Sequence, residues 1–116
     1  MSTTEAEREL LRDTVGQLLA EQCTPERVAA AAASGAGWDA ATWQALQETG
    51  LTLVGSAEES GGSGGDLSQA ADIAVAAGAA AAPVPLAETL AAGMVLSRAG
   101  LAIPDGPLTL AVAGPG

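Results

Sequence analysis

The chain has no Tyr and no Phe, and alanine fills most of its apolar positions, with Leu and Val second. That bias narrows the folds open to it more than any motif does. Apolar residues make up 48% of the 116 positions, yet Trp38 and Trp43 are the only aromatic ones. Small and unbranched side chains favour closely packed helices, whereas sheets draw on β-branched and aromatic residues. The expectation is a helical core of Ala and Leu, within one domain or a piece of one at this length.

Local signals place about five helices. Thr4 with Glu7 forms a capping box, and Leu11, Val15, Leu18 and Leu19 follow as an apolar stripe at helical spacing. Thr24-Pro25 ends that helix and starts a second, because Pro is tolerated at the first helical position. The second helix runs through "ERVAAAAA" and stops at the glycines of "SGAG". Asp39 opens a third, with Trp38 before it and Trp43 inside it placed as a hydrophobic staple; Gly50 then Leu51 close it. Asp66 and Gln69 can cap a fourth helix, on which Leu67, Ala70, Ala71, Ala74 and Ala77 share a face. "AAPVP" breaks it, and "LAETLAAGMVLSRAG" makes a fifth that is apolar nearly all round and ends at Gly100. After a Pro-Asp-Gly-Pro turn, Leu108 to Val112 alternates weakly and reads as a strand. A lone strand lacks partners for its backbone, so the chain is expected to be a fragment in which a β-region is just beginning.

Several kinds of chemistry are excluded by composition. Without His there is neither a His-assisted nucleophile nor a His-ligated metal, and Cys23 alone makes no zinc cage or internal disulfide. A single cysteine suits a reducing cytoplasm. The four basic residues are all Arg, which leaves no P-loop Lys. At a net charge of −10 the chain should repel nucleic acid and anionic membranes. Its longest apolar region, Ile73 to Ala87, is interrupted by Gly78, Pro83 and Pro85, and the acidic N-terminus is unlike a signal peptide.

Three features remain as candidate sites. The run "SAEESGGSGGD", Ser56 to Asp66, has glycines ahead of a helix, as anion-binding loops do. The dinucleotide fingerprint would need Gly where Leu67 stands, however, and Asp66 would repel a phosphate. "GGDLSQA" superficially resembles the Asp-Ser-Leu site of acyl carrier proteins, but Leu67 separates Asp66 from Ser68, which fits an ordinary first-turn residue better. Glu88 is the one carboxylate in the apolar fifth helix, where an unpaired charge would be costly. It reads first as a surface-facing Glu or the partner of an Arg, and second as part of a ligand site.

Taken in order, the residues from Trp43 to Gly100 resemble the N-terminal region of the acyl-CoA dehydrogenase family. Trp43, Leu46, Glu48, Gly50 and Leu51 match that family's Trp-x-x-Leu-x-Glu-x-Gly-Leu helix end. Glu58, Glu59, Gly61, Gly62 and Gly64 match its Pro-Glu-Glu-Tyr-Gly-Gly-x-Gly loop, and "APVPLAET" is similar to the Ala- and Pro-rich variants of actinobacterial branches. Ala57 stands where the loop's Pro usually is, and Ser60 where its Tyr usually is.

The resemblance implies an all-α, orthogonal bundle of about five helices over residues 1–104, with 105–116 as the first strand of a middle β-domain. It further implies α,β-dehydrogenation of an acyl-CoA thioester, with FAD taking the β-hydride and a carboxylate removing the α-proton. In most of the family the base and the flavin contacts lie in later domains, so residues 1–116 alone should be inactive. The fifth helix would then supply a wall of the acyl cavity, through Leu86, Glu88, Thr89, Leu90, Gly93 and Met94. Electron-transfer flavoprotein or a similar acceptor and a homo- or hetero-oligomeric assembly are the implied partners. Two other readings stay open: an acyl-carrier-like or interaction module, and a subunit that serves a catalytic partner structurally.

Overall fold

The computed structural model describes residues 4–114; the first three residues of the expected helical domain and the last two of the expected β-segment lie outside them. Five α-helices form: α1 Glu5–Gln22, α2 Pro25–Ala33, α3 Ala40–Glu48, α4 Leu67–Ala79 and α5 Leu86–Arg98. The all-α expectation holds.

The helix ends follow the local chemistry read from the sequence. Thr4, Thr24, Asp39 and Asp66 each accept a hydrogen bond from a first-turn amide, and Asp66 with Gln69 completes a full capping box. Trp38 and Trp43 meet as the expected staple, with ring centroids 6.2 Å apart. At the far end of α5, the Gly100 amide donates to Ser97 and the Leu101 amide to Leu96, a Schellman closure with Gly100 at φ 74°. The same pair of bonds closes α4, from Ala81 to Gly78 and from Ala82 to Ala77, but here an alanine takes the left-handed position, at φ 51°.

The core joins four of the helices. Val15 and Leu19 of α1, Leu46 of α3, Ile73 and Ala77 of α4, and Leu86 and Leu90 of α5 are buried together, with Leu51 and Val54 from the connection between α3 and α4. The stripe on α1 is the one expected. On α4 the packed face differs: Ala70, Ile73 and Ala77 turn inward, whereas Leu67 is 63% exposed and Ala71 is exposed. The branched Ile73 side chain fills the centre, and rotating Leu67 inward would carry it out. α2 contributes Ala31 to the interior and is held by its arginine instead.

The strand expected at Leu108 to Val112 does not form; no strand occurs among the described residues. A strand needs a neighbour for its N–H and C=O groups, and the backbone of Leu108 is engaged by a side chain of α5 instead. Nor is "LTLV" a strand: Leu51–Leu53 is a 3-10 turn that carries the chain off α3 after Gly50. Among the described residues no helix is long and apolar enough to cross a membrane.

Candidate functional site

The glycine-rich run folds into a closed turn that is used up by its own hydrogen bonds. Amides of Gly55, Gly61, Gly62, Ser63 and Gly64 donate to the carbonyls of Gly64, Glu58, Ala57, Leu53 and Ser56 respectively. These donors therefore face the loop's own backbone, leaving no cradle for a phosphate. Glu58 and Glu59 sit exposed on a 3-10 turn, Glu58–Ser60. Gly62 lies so close to Ser56 that a Cβ there would overlap the Ser56 carbonyl. The first half of the loop is pinned to other elements at two points: the Ala57 amide donates to Ser97 Oγ at 2.8 Å, and the Ser60 carbonyl accepts from the Ile103 amide at 2.9 Å.

Helix α5 carries the six residues singled out for an acyl cavity, and they fall into three groups. Leu86 and Leu90 are in the core. Thr89 and Gly93 are buried beside the segment 101–109: Thr89 Oγ1 accepts from the Leu108 amide at 3.0 Å, and the position where Gly93 would carry a Cβ is met first by Ser56 Oγ at 3.0 Å and then by Ile103 at 3.8 Å. Met94 is half-buried with its sulfur against Gly55, and Glu88 is exposed and accepts a 2.6 Å bond from the Thr109 hydroxyl. Glu88 is thus a surface carboxylate with a hydroxyl partner. Thr89 and Gly93 lie one turn apart under one segment with Glu88 at its exposed edge, while Leu86 and Leu90, neighbours on the same buried face, reach on into the core.

Sequence reasoning passed over the residues that close this face. Ser56 is 1% exposed, with its hydroxyl directed at Gly93 and no partner among the described residues. Ile103 and Leu108 follow soon after the end of α5, but no helical or strand pattern announces that the chain folds back onto Thr89 and Gly93. Only the small side at Gly93 hinted that something approaches closely there.

Charged side chains elsewhere are engaged in holding helices. Arg8 clasps Asp72 with two bonds of 2.9 Å, tying α1 to α4, and Arg12 reaches the same carboxylate and Glu5. The Arg8 hydrogen bond, aided by the charges of Arg8 and Arg12, holds the Asp72 carboxyl below its ordinary range despite burial. Arg27 joins Asp39, Gln22 and the Thr42 hydroxyl. Burial pushes the Asp39 carboxyl up, but hydrogen bonds from Thr42, the Arg27 charge and the Ala41 amide outweigh it and leave it lowered. Ser68 donates to Asp66 at 2.6 Å within the cap of α4.

The hollows among the described residues include two open ones. One, of about 580 Å³, lies between α2 and the start of α3 beside Arg27 and Trp38; the other, of about 420 Å³, lies between α1 and α4 beside Cys23, whose thiol burial pushes up. Neither touches α5.

Residues 5–102 match the family model described as "Acyl-CoA dehydrogenase, N-terminal domain". The chain belongs to the acyl-CoA dehydrogenase family. It is 40% identical over 95 residues to the acyl-CoA dehydrogenase IpdE2 of Mycolicibacterium smegmatis, covering 81% of this chain and 30% of that protein. To the acyl-CoA dehydrogenase IpdE2 of Mycobacterium tuberculosis it is 39% identical over 94 residues, covering 80% of this chain and 30% of that protein. The chain thus spans about 30% of the length of the curated relatives it matches. No solved structure matches it significantly.

Family membership brings a flavin into question, and the described residues of this acyl-CoA dehydrogenase domain do not fit one. The loop amides are paired internally and the guanidinium of Arg27 is engaged on each nitrogen. Neither hollow offers the donors a dinucleotide pyrophosphate needs.

Proposed function

We infer that this chain is the N-terminal helical part of a flavin-dependent acyl-CoA dehydrogenase, acting in α,β-dehydrogenation of an acyl-CoA thioester. The observation that carries this is the match of residues 5–102 to the family's N-terminal domain, together with about 40% identity to relatives named as acyl-CoA dehydrogenases. FAD and the catalytic base are supplied by segments outside residues 1–116; among the described residues the loop amides named above and Arg27 are already engaged. Residues 1–104 are the helical domain, and 105–116 lead toward a β-domain. Reduced flavin is reoxidised by electron-transfer flavoprotein or a similar acceptor, in a cytoplasmic homo- or hetero-oligomer.

Within that enzyme α5 contributes a wall of the acyl cavity. Its composition supports the reading: apart from Glu88 and Arg98 the helix is uncharged. Thr89 and Gly93 are the positions that meet the acyl chain, Met94 flanks them beside Gly55, Glu88 lies at the rim, and Leu86 and Leu90 anchor the same face in the core.

The full-length protein, with any partner subunit that co-purifies, tests this directly. Flavin absorbance and acyl-CoA-dependent reduction of an artificial electron acceptor are expected. A purified, folded protein that holds no flavin, and that oxidises none of short, medium, long or steroid side-chain thioesters, sinks the reading.

A further inference from the structure

The geometry points to residues 101–109 as a releasable strap that latches over the acyl-facing side of α5 and must lift for a thioester to reach it. This rests on the reading that α5 lines the acyl cavity.

The strap has no helix or strand of its own. Three points hold it. The Ile103 amide donates to the Ser60 carbonyl at 2.9 Å, bringing the Ile103 side chain over Gly93. Thr89, itself 1% exposed, takes hold of one strap residue through that residue's backbone. It accepts from the Leu108 amide at 3.0 Å and donates to the Pro85 carbonyl at 2.7 Å, with the Leu108 carbonyl farther off at 3.3 Å. Next to that clamp, the Thr109 hydroxyl donates to Glu88 at 2.6 Å. Between the anchors run Pro104 and Pro107, which have no N–H to give, and Asp105, all three exposed.

Such a segment opens locally far more readily than the core. Few buried apolar contacts and solvent-exposed backbone place it at the low end of the stability range within one fold. What opening uncovers is specific. Thr89 Oγ1 loses its Leu108 partner while its own proton stays on the Pro85 carbonyl, and Gly93 loses the Ile103 contact while Ser56 stays beside it, the two positions lying on the same side of α5 one turn apart. The buried Ser56 hydroxyl directed at Gly93 would then lie in the wall of the opened groove. An acyl thioester offers an apolar chain for the glycine side and a carbonyl oxygen for the unpartnered Ser56 hydroxyl. The strap and an acyl group therefore compete for the same surface, and a ligand that binds the open form shifts the population toward it.

Amide hydrogen exchange in the full-length protein tests the strap, read at Ile103 and Leu108 against core amides of Leu19 and Leu46. Local release predicts that both strap amides exchange together, at least ~100-fold faster than the core. Thr109→Val, an exposed substitution that touches neither reporter bond, should speed both further. Thr89→Val should free Ile103 although its own partner, Ser60, is untouched, whereas Thr89→Ser should leave Ile103 as in the parent. Saturating octanoyl-CoA should accelerate exchange at both amides, while free CoA should not.

Strap amides that exchange only with the core overturn the proposal, as do reporters that respond to the variants independently. Octanoyl-CoA that binds without altering Ile103 or Leu108 also overturns the strap and leaves the acyl-CoA reading standing. A strap that opens as described in a protein that binds no acyl-CoA removes the acyl-site reading and the gating role with it.

Discussion

Ala57 shows how a single residue can depart from its family's pattern while keeping the family's backbone. The resemblance placed Pro at this position, and the chain has φ −66° there, the angle a proline ring enforces. What alanine adds is an N–H, and that N–H is spent on Ser97 Oγ, 40 residues away on α5. The two residues therefore have to be judged as a pair. Ala57→Pro alone removes a hydrogen bond worth about 1 kcal/mol while reducing the freedom of the unfolded chain by about 0.4–1 kcal/mol, so it should come out near neutral or slightly destabilising. In a Ser97→Ala background there is no bond left to lose, and Ala57→Pro should then stabilise by about 0.5–1 kcal/mol. Denaturant unfolding of the four proteins of this cycle checks it. Equal effects of Ala57→Pro in both backgrounds would show that the Ser97 bond carries no weight.

At the scale of the element, α4 is where reading from the sequence succeeded and failed side by side. Its start was legible because a cap is written within four residues, Asp66 to Gln69, and the structure repeats it bond for bond. Its buried face was not, because "LSQAADIAVAAGA" is apolar on nearly every side and small residues mark no stripe. Only the fit of Ile73 among Val15, Leu46 and Leu90 decides the rotation. Ile73→Ala should thus cost about 2–5 kcal/mol, and Leu67→Ala less than about 0.5 kcal/mol. Comparable losses at the two sites in thermal or urea unfolding would mean that the helix is turned the other way.

The tie between α1 and α4 lay outside sequence reasoning for a different reason: Arg8 and Asp72 are 64 residues apart, and each alone reads as solvated charge. Its consequence is a pH dependence. Asp72 has its carboxyl lowered from the ordinary 3.8, by the Arg8 hydrogen bond before anything else. The unfolded chain therefore takes up this proton at a higher pH than the native one. The contribution is fully present above about pH 4–5 and is lost as pH falls through the lowered native value. Asp72→Asn should lower stability at pH 7 and flatten the decline between pH 5 and pH 3. A variant whose melting temperature still falls as steeply as the parent's over that range would assign the acid sensitivity to other carboxylates, Asp39 first.

Over the whole molecule, what was legible divides by range along the chain. Helix number, caps and the Gly100 closure depend on neighbours and were all readable; the face of α5 under residues 101–109 depends on Ile103 and Leu108, which no window around Thr89 contains. Charge is the one global property that composition states outright, and it acts on the stability of the fold. The chain carries 14 acidic residues against four arginines, a net charge of −10. Arg8, Arg12 and Arg27 are committed to Glu5, Asp39 and Asp72, so most other carboxylates face solvent among like charges. Added salt works in two directions here. It weakens partly exposed ion pairs, each worth about 0–1 kcal/mol. It also screens repulsion among the remaining acids, with a Debye length that falls to about 10 Å at 0.1 M. Three paired arginines cannot outweigh an excess of ten negative charges drawn together by folding, so screening of repulsion should win. The melting temperature should rise by several degrees between about 0.01 M and 0.5 M sodium chloride at pH 7. The rise should shrink near pH 4, where the exposed acids are partly neutral. A melting temperature that falls with salt at pH 7 would mean that the Arg8 and Arg27 clasps hold this bundle together more strongly than its surplus charge drives it apart.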